Sequence, residues 1–192
     1  MKDEFYTKKR KRLIKRIHIL GATGSGTSSI GKAVCAQLGY MHFDSDNYLW
    51  LPTEEPYTTM RSSEDYISLM GNDLTNHDKW ILSGHVSFGL MDVHLPLYDL
   101  VVFIYVPTEI RMERIKKREH ERYGDDSLPG GSRYEKTREL LDYAAKYDTD
   151  KTIGRNLHKH EKWLEIVKCP VLRIVNTSFE DSISKLLEII DI

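Results

Sequence analysis

Short apolar segments alternate along the chain with longer amphipathic ones. The segment at 100–106 reads LVVFIYV, which is continuously apolar and rich in β-branched residues. A run of this kind is typical of a strand that is buried on both faces of a parallel sheet. Four further apolar segments predict strands at 17–20, 40–43, 80–83 and 171–175.

The segments between these strands carry apolar residues at helical spacing. In the last of them, Ile183, Leu186, Leu187 and Ile190 lie at positions i, i+3, i+4 and i+7, and Ser178 precedes them as a helix cap. The same reasoning predicts helices at about 27–38, from Ser62 or Ser63 through Leu74, at 107–122, at 135–147 and at 158–166. Strands that alternate with helices predict an α/β fold, in which helices cover both faces of a five-stranded parallel sheet.

Polar or glycine-rich sequence follows three of the predicted strands. The three segments are GATGSGTSS at 21–29, DSD at 44–46 and SGH at 83–85. In open sheets of parallel strands, ligands bind beyond the carboxyl ends of the strands. The sequence therefore predicts one binding site to which all three segments contribute.

The segment at 21–29 has the frame of a phosphate-binding loop, with Gly21, four residues, Gly26 and then a hydroxyl residue at Ser28. It lies between a predicted strand and a predicted helix, which is the context that the motif requires. Backbone N–H groups and the helix N-terminus bind phosphate oxygens in such loops without any side chain. The motif has lysine before the hydroxyl residue, whereas this chain has Thr27. The alternative is a glycine-rich turn that binds no ligand.

With this loop the chain resembles the P-loop small-molecule kinases, the group of adenylate, cytidylate, shikimate and gluconate kinases. The resemblance extends over nearly the whole chain in the order of elements. It implies a three-layer P-loop NTPase fold, ATP and Mg²⁺ as cofactors, a small-molecule acceptor and a helical lid that carries arginines. The nucleotide-binding residues that it implies are Gly21, Ala22, Thr23, Gly24, Ser25, Gly26, Thr27, Ser28 and Ser29.

The residues FDSD at 43–46 resemble the segment after the second strand in shikimate-kinase-like members. The resemblance implies that Asp44 and Ser28 lie at Mg²⁺, and that Asp46 is catalytic because it binds the acceptor hydroxyl. Phosphoryl transfer requires an attacking hydroxyl that is oriented and relieved of its proton. The alternative is that either aspartate caps the next segment or stabilises a turn.

Two further residues, Arg61 and Gly84, are expected on the acceptor side. Arg61 suits an acceptor phosphate or carboxylate, and the alternative is a surface residue beside a helix. Many relatives have aspartate before the glycine that follows the third strand, whereas this chain has Ser83, which carries no negative charge. His85 is interpreted as a local hydrogen-bonding group rather than a ligand or a base.

Arginines recur on one face of the helix predicted after the fourth strand. Arg111, Arg114, Arg118 and Arg122 are spaced 3, 4 and 4 apart and lie within an arc of roughly 80°. A guanidinium group offers paired donors that suit phosphate oxygens. The resemblance implies a lid at about 118–135. Its implied arginines are Arg111, Arg122, Arg133 and Arg155, with Arg114 and Arg118 as catalytic residues. The alternative is a solvated face that pairs with neighbouring glutamates.

The lysine that Thr27 replaces normally provides positive charge at the phosphates. Lys32 is the nearest lysine after it, about 7.5 Å further along the helix and roughly 140° around it. We predict that Lys32 points away from the loop. The positive charge is therefore expected from the arginines of 111–133, as an arginine from a mobile element provides it in other phosphoryl transferases.

Length and composition limit the classes of protein to which this chain can belong. The 192 residues, of which 40% are apolar and 30% charged, predict one soluble domain at 17–192 after a basic arm at 1–16. The arm has 8 basic and 2 acidic residues and the remainder has 20 and 27, so nucleic-acid binding through the arm is disfavoured though not excluded. No apolar stretch suits a membrane span or a secretion signal, and two cysteines form no disulfide framework, so we expect the cytosol.

Together these features predict an ATP-dependent phosphotransferase of the P-loop kinase type. Its acceptor is expected to be a nucleoside monophosphate or a small hydroxylated metabolite. Two alternatives remain: a non-catalytic nucleotide-binding sensor protein, and a P-loop ATPase that contacts nucleic acid through the basic arm.

Overall fold

The computed structural model describes residues 13–86 and 91–190. The strands are β1 (Arg16–Gly21), β2 (Met41–Asp44), β3 (Trp80–Ser83), β4 (Leu100–Tyr105) and β5 (Val171–Val175). The helices are α1 (Thr27–Leu38), α2 (Ser45–Leu49), α3 (Ser63–Asn76), α4 (Thr108–Tyr123), α5 (Tyr134–Ala145), α6 (Leu157–Ile166) and α7 (Phe179–Ile190). Short 3-10 helices lie at Met91–Leu97, Gly124–Ser127 and Lys146–Asp148.

All five strands pair in parallel in the order β2-β3-β1-β4-β5, which confirms the predicted sheet. Helices cover both faces of the sheet. Alternate side chains of a buried strand point to opposite sides, so each strand contributes to a core on each face. Val102 and Ile104 of β4 belong to the core beneath α1 and α7. Val101 and Phe103 belong to the core beneath α3 and α6. The three-layer α/β fold is thus the predicted one.

The register of the sheet places the polar ends of three strands together. Asp44 at the end of β2 pairs with Ser83 at the end of β3, and Ser83 pairs with Ile19 of β1. The loop that begins at Gly21 therefore lies beside the two other polar segments. This arrangement confirms that all three segments meet at one edge of the sheet.

The predicted N-terminal arm at 1–16 lies outside the described residues except for 13–16. Within that part, Lys15 Nζ lies 2.8 Å from a carboxylate oxygen of Asp78, and Arg16 Nε lies 3.4 Å from Asp99 Oδ2. These basic side chains are thus paired with acidic residues of the domain. Among the described residues, no helix is both long and apolar enough to cross a membrane.

Candidate functional site

The loop between β1 and α1 follows a path that glycine permits. Gly24 and Gly26 have φ values of 80° and 87°, which strain any residue with a side chain. A Cβ atom at Gly21 would lie 2.5 Å from the carbonyl oxygen of Ile104 and 2.6 Å from Ser25 Oγ. The loop is therefore packed tightly against β4 at its start and turned by left-handed residues further on.

Helix α1 begins at Thr27, and no side chain caps it at Gly26. The first N–H groups of a helix have no intrahelical partner, and the helix dipole adds partial positive charge at the same end. The loop and the start of α1 thus present backbone donors to one volume. This arrangement fits the phosphates of a nucleotide.

Asn176, directly after β5, fixes the loop from the side. Its Nδ2 donates to the carbonyl oxygen of Ser25 at 2.9 Å, and its Oδ1 accepts a hydrogen bond from Ser182 Oγ at 3.1 Å. Arg114 Nη2 donates to the carbonyl oxygen of Asn176 at 3.2 Å, so Arg114 lies close to Gly26. Sequence reasoning did not identify Asn176. A polar residue at the carboxyl end of a fifth strand was the available signal.

Replacing Asn176 by alanine is expected to lower the free energy of unfolding by about 1–3 kcal/mol, because the Ser25 carbonyl loses its buried donor. ATP affinity should also fall severalfold, since the loop is no longer held from β5. Chemical denaturation and titration calorimetry measure the two effects. Ser182→Ala is the control: it removes the hydrogen bonds from Ser182 to Asn176 and to the carbonyl oxygen of Ser178, keeps the one from Asn176 to Ser25, and should leave ATP affinity unchanged. An Asn176→Ala protein that binds ATP normally would show that the loop keeps its shape unaided.

A cavity of about 1020 Å³ lies in front of the loop. Its wall includes Ala22, Thr23, Gly24, Gly26, Thr27, Ser28 and Ser29 of the loop, Asp44, Asp46 and Gly84 after the other strands, and Arg114, Arg118, Arg122, Arg133 and Arg155. Gly21 and Ser25, which also belong to the loop, are buried and do not line the cavity. The volume lies at the upper end of the usual range for a small-molecule site.

Asp44 and Asp46 lie in this wall at the end of β2. Asp44 Oδ1 accepts a hydrogen bond from the N–H of Asp46 at 3.1 Å. Asp44 therefore caps α2, as the sequence alternative suggested, and it also lines the cavity. Burial raises the pKa of Asp46 and the charge of Asp44 raises it further, whereas Arg155 and Arg118 oppose the shift. A carboxyl group with a raised pKa inside a cavity has the property that a proton acceptor needs.

The donor set in the wall fits Mg²⁺ that arrives with a nucleotide. Within residues 13–86 and 91–190, no group of three or more His, Cys, Asp or Glu side chains is arranged to hold a metal ion. Mg²⁺ is usually bound by one or two carboxylates together with substrate phosphates and water. Ser28 and Asp44 both face the cavity and provide one hydroxyl and one carboxylate.

Arg111 is a core residue, and the expectation that it belongs to the lid is wrong. Its side chain is fully buried. Its Nη2 donates to Asp148 Oδ2 at 2.6 Å and its Nε to the carbonyl oxygen of Val106 at 3.0 Å. The guanidinium carbon lies 4.9 Å from the centre of the Tyr147 ring. The arginine face of α4 is covered by the protein at its first turn and reaches the cavity only from Arg114 onward.

Two other basic residues lie elsewhere than predicted. Arg61 does not line the cavity, and its Nε donates to the carbonyl oxygen of Tyr48 at 3.0 Å. This corrects the expectation that it binds the acceptor. Lys32 does border the cavity, although we predicted that it points away. Burial lowers the pKa of the neighbouring His42, and the charge of Lys32 lowers it further.

Two segments that both contribute to the cavity wall contact each other. One is the strap, residues 51–60, and the other is the lid with the start of α5, residues 118–136. Glu55 of the strap forms ion pairs with Arg133 and Lys136. These three side chains all line the cavity, and sequence reasoning missed two of them, Glu55 and Lys136.

Aromatic rings add a second contact between strap and lid. The Arg122 guanidinium lies 5.6 Å from the centre of the Tyr57 ring, within the range of a cation–π interaction. Tyr57 has a φ value of 63°, which is uncommon for a residue with a side chain. Its ring packs edge-on against Trp50 at 6.1 Å between centres. The strap thus holds one tyrosine in an unusual backbone conformation beside the lid.

Arg155 differs from the lid arginines because it reaches the phosphate-binding loop. Its Nη1 donates to Thr23 Oγ1 at 3.3 Å, and its main-chain N–H donates to the hydroxyl of Tyr143 at 2.8 Å. Burial lowers the pKa of Arg155, and the charge of Asp46 is the largest effect that opposes the shift. Arg118, in contrast, donates through Nε and Nη2 to one carboxylate oxygen of Glu119.

The segment after β3 contributes Gly84 and His85 to the cavity wall. His85 Nδ1 lies 3.1 Å from His160 Nε2, and His160 Nδ1 lies 2.6 Å from the Tyr147 hydroxyl. Burial lowers the pKa of His160 to about 3 and the pKa of His85 well below its ordinary value. Both rings are therefore neutral at neutral pH, and the interpretation of His85 as a hydrogen-bonding group is confirmed.

Comparison with known sequences finds one relative that covers most of the chain. No protein-family model matches. The uncharacterized protein YqaC from Bacillus subtilis (strain 168) is 44% identical over 160 residues, which are 83% of this chain and 88% of YqaC.

Solved structures share the fold over nearly the whole chain. A gluconokinase from Sinorhizobium meliloti 1021 matches with a TM-score of 0.55 and 16% identity, covering 94% of each chain. A shikimate kinase from Bacteroides thetaiotaomicron matches with a TM-score of 0.52 and 18% identity, covering 93% of this chain and 99% of that one. A shikimate kinase from Acinetobacter baumannii in complex with shikimate gives 0.52 and 19%, with 92% and 93% covered. The fold is that of P-loop small-molecule kinases.

Proposed function

We propose that this chain, which belongs to the same protein family as YqaC of Bacillus subtilis, transfers a phosphoryl group from ATP to a small hydroxylated molecule. One observation carries the proposal: the carboxyl group of Asp46 faces the same cavity as the phosphate-binding loop. A protein that only binds nucleotide needs the loop but needs no proton acceptor in front of it. The fold of gluconokinase and shikimate kinase supports a hydroxylated metabolite as acceptor, with a nucleoside monophosphate as the second candidate.

Each group in the wall has a role in this reaction. The loop and the start of α1 bind the phosphates of ATP. Ser28 and Asp44 would hold the accompanying Mg²⁺, which would neutralise phosphate charge. Asp46 orients the acceptor hydroxyl and takes up its proton while the hydroxyl oxygen bonds to the γ-phosphorus. The bond between that phosphorus and the departing ADP oxygen breaks in the same transfer. The strap and the lid exclude water, which would otherwise accept the phosphoryl group.

The second candidate is a non-catalytic nucleotide sensor, and Thr27 is the observation that favours it. The loop binds phosphate through its backbone, so the absence of lysine at this position reduces catalysis more directly than it reduces binding. In this case Asp46 and the arginines of the wall would serve only to bind ligand.

A coupled assay of ADP release separates the two candidates. The purified protein with ATP and Mg²⁺ is offered a panel of gluconate, shikimate, other hydroxylated acids and nucleoside monophosphates. At least one acceptor is expected to raise ADP release tenfold or more above the background hydrolysis of ATP. Calorimetric titration with ATP accompanies the assay. A protein that binds ATP while every acceptor leaves the rate at background is the sensor, not the kinase.

A further inference from the structure

Thr27 leaves open which group provides positive charge to the transferred phosphoryl group. In the motif, lysine extends from this position to the β- and γ-phosphates. A substitute has to lie between the loop and the acceptor, because the phosphoryl group passes there. It also has to be a cation that is not already neutralised by a carboxylate.

Arg155 meets the first requirement. Its Nη1 lies 3.3 Å from the hydroxyl of Thr23, two residues after the first glycine of the loop. The charges of Asp46 and Asp44 both act on its guanidinium. Arg155 thus lies near both the loop and Asp46, the carboxylate that is proposed to bind the acceptor hydroxyl.

The segment around Arg155 is fixed by hydrogen bonds. The buried side chain of Asn156 caps α6 by accepting from the N–H of Lys159 at 2.9 Å. It also donates to the carbonyl oxygens of Lys151 and Ile153 at 3.1 and 2.8 Å. These hydrogen bonds fix the turn from which the side chain of Arg155 extends.

Three other arginines of the wall are hydrogen-bonded away from the loop. Arg118 is paired with Glu119 at 2.8 Å, and Arg133 is paired with Glu55. Arg114 is bonded to the carbonyl oxygen of Asn176, on the side of the loop next to Gly26. Lys32 and Arg122 also line the cavity, but among the described cations of the wall only Arg155 is hydrogen-bonded to a side chain of the loop. In the described part of the chain, Arg155 forms no ion pair within 4.0 Å and bonds to an uncharged hydroxyl.

We propose that Arg155 binds the terminal phosphates of ATP in place of the loop lysine. A guanidinium group offers paired donors that match two phosphate oxygens. The charge is provided from a turn 132 residues away in sequence from its contact in the loop. The inference rests on the proposed function only in taking ATP as the ligand.

Titration calorimetry with Mg·ATP and with adenosine tests the role of Arg155. The two ligands share the adenosine and differ in the phosphates that Arg155 is proposed to bind. Arg155→Ala is expected to weaken ATP binding about tenfold or more and to leave adenosine affinity within about twofold. Arg155→Lys should retain part of the lost affinity. Adding Thr27→Lys to Arg155→Ala should restore most of it, while Thr27→Lys alone should give no gain.

Controls and contrary outcomes make the test specific. Arg173→Ala removes a surface arginine that pairs with Glu161 and should leave ATP affinity unchanged. Thermal unfolding of each variant checks the fold, and Arg155→Lys replaces Arg155→Ala if the latter unfolds. Normal ATP affinity in the folded Arg155 variants, or no recovery from Thr27→Lys, overturns the inference. A wild-type chain that binds no ATP overturns it together with the proposed function. Arg155-dependent ATP binding without any acceptor contradicts the kinase proposal alone.

Discussion

Replacing Asp46 by asparagine is expected to lower turnover at saturating substrate by about 10²–10⁴-fold, the usual contribution of a positioned acid or base. ATP affinity should change little, because the proposed ligands of the phosphates are the loop and Mg²⁺ rather than Asp46. Steady-state kinetics with an acceptor found in the panel, together with calorimetric titration of ATP, measure the two effects. Asp44→Asn is the contrasting variant: it should raise the Mg²⁺ concentration needed for half-maximal rate. Unchanged turnover in Asp46→Asn would remove Asp46 from the mechanism.

The pH profile of the same enzymes gives an independent result. In the proposed mechanism Asp46 acts as a base only when it is ionised, so the rate should fall as the pH falls through its pKa. Because burial raises that pKa, the fall should begin above the pH at which an exposed aspartate titrates. In Asp46→Asn this acidic limb should be absent from the residual activity. An identical limb in both proteins would assign it to another group.

The largest effect on stability is expected at Arg111. Arg111→Met should lower the free energy of unfolding by about 3–5 kcal/mol, because it leaves the carboxylate of Asp148 without its buried partner. Chemical denaturation measures the loss. Adding Asp148→Asn should recover part of it, since the uncompensated charge is then removed as well.

The matched control is Arg138→Ala, which removes an exposed arginine paired with Glu135 on α5. This variant should leave the free energy of unfolding unchanged. The folded fraction of Arg111→Met should bind ATP with wild-type affinity, because Arg111 does not line the cavity. Reduced ATP affinity with normal stability would return Arg111 to the site.

The strands and the phosphate-binding loop were predictable because each is encoded by a short local pattern. The run LVVFIYV becomes β4, and the glycine spacing fixes the loop wherever a strand precedes it and a helix follows. The arginines of α4 show the limit of such patterns. Helical spacing indicates that Arg111 and Arg114 share a face, but not where along the helix that face becomes covered by other elements. That boundary depends on the packing of α5 and on Asp148.

Contacts that span the chain were beyond the reach of local patterns. Asn176 and the loop residue Ser25 are separated by 151 positions, and only the pairing of β4 with β5 brings them together. Lys32 was misplaced for another reason. The helical angle gives the direction of its Cβ atom, whereas four methylene groups allow the ammonium group to turn back toward the cavity.

The contact between strap and lid has a consequence for the release of products. Glu55, Arg133 and Lys136 are partly exposed to solvent, and ion pairs of this kind contribute little net free energy because water and salt compete with them. The strap and the lid are therefore held together by interactions whose disruption costs little free energy. In the proposed reaction, ADP and the phosphorylated product would leave between strap and lid at a small free-energy cost, and added salt would lower that cost further.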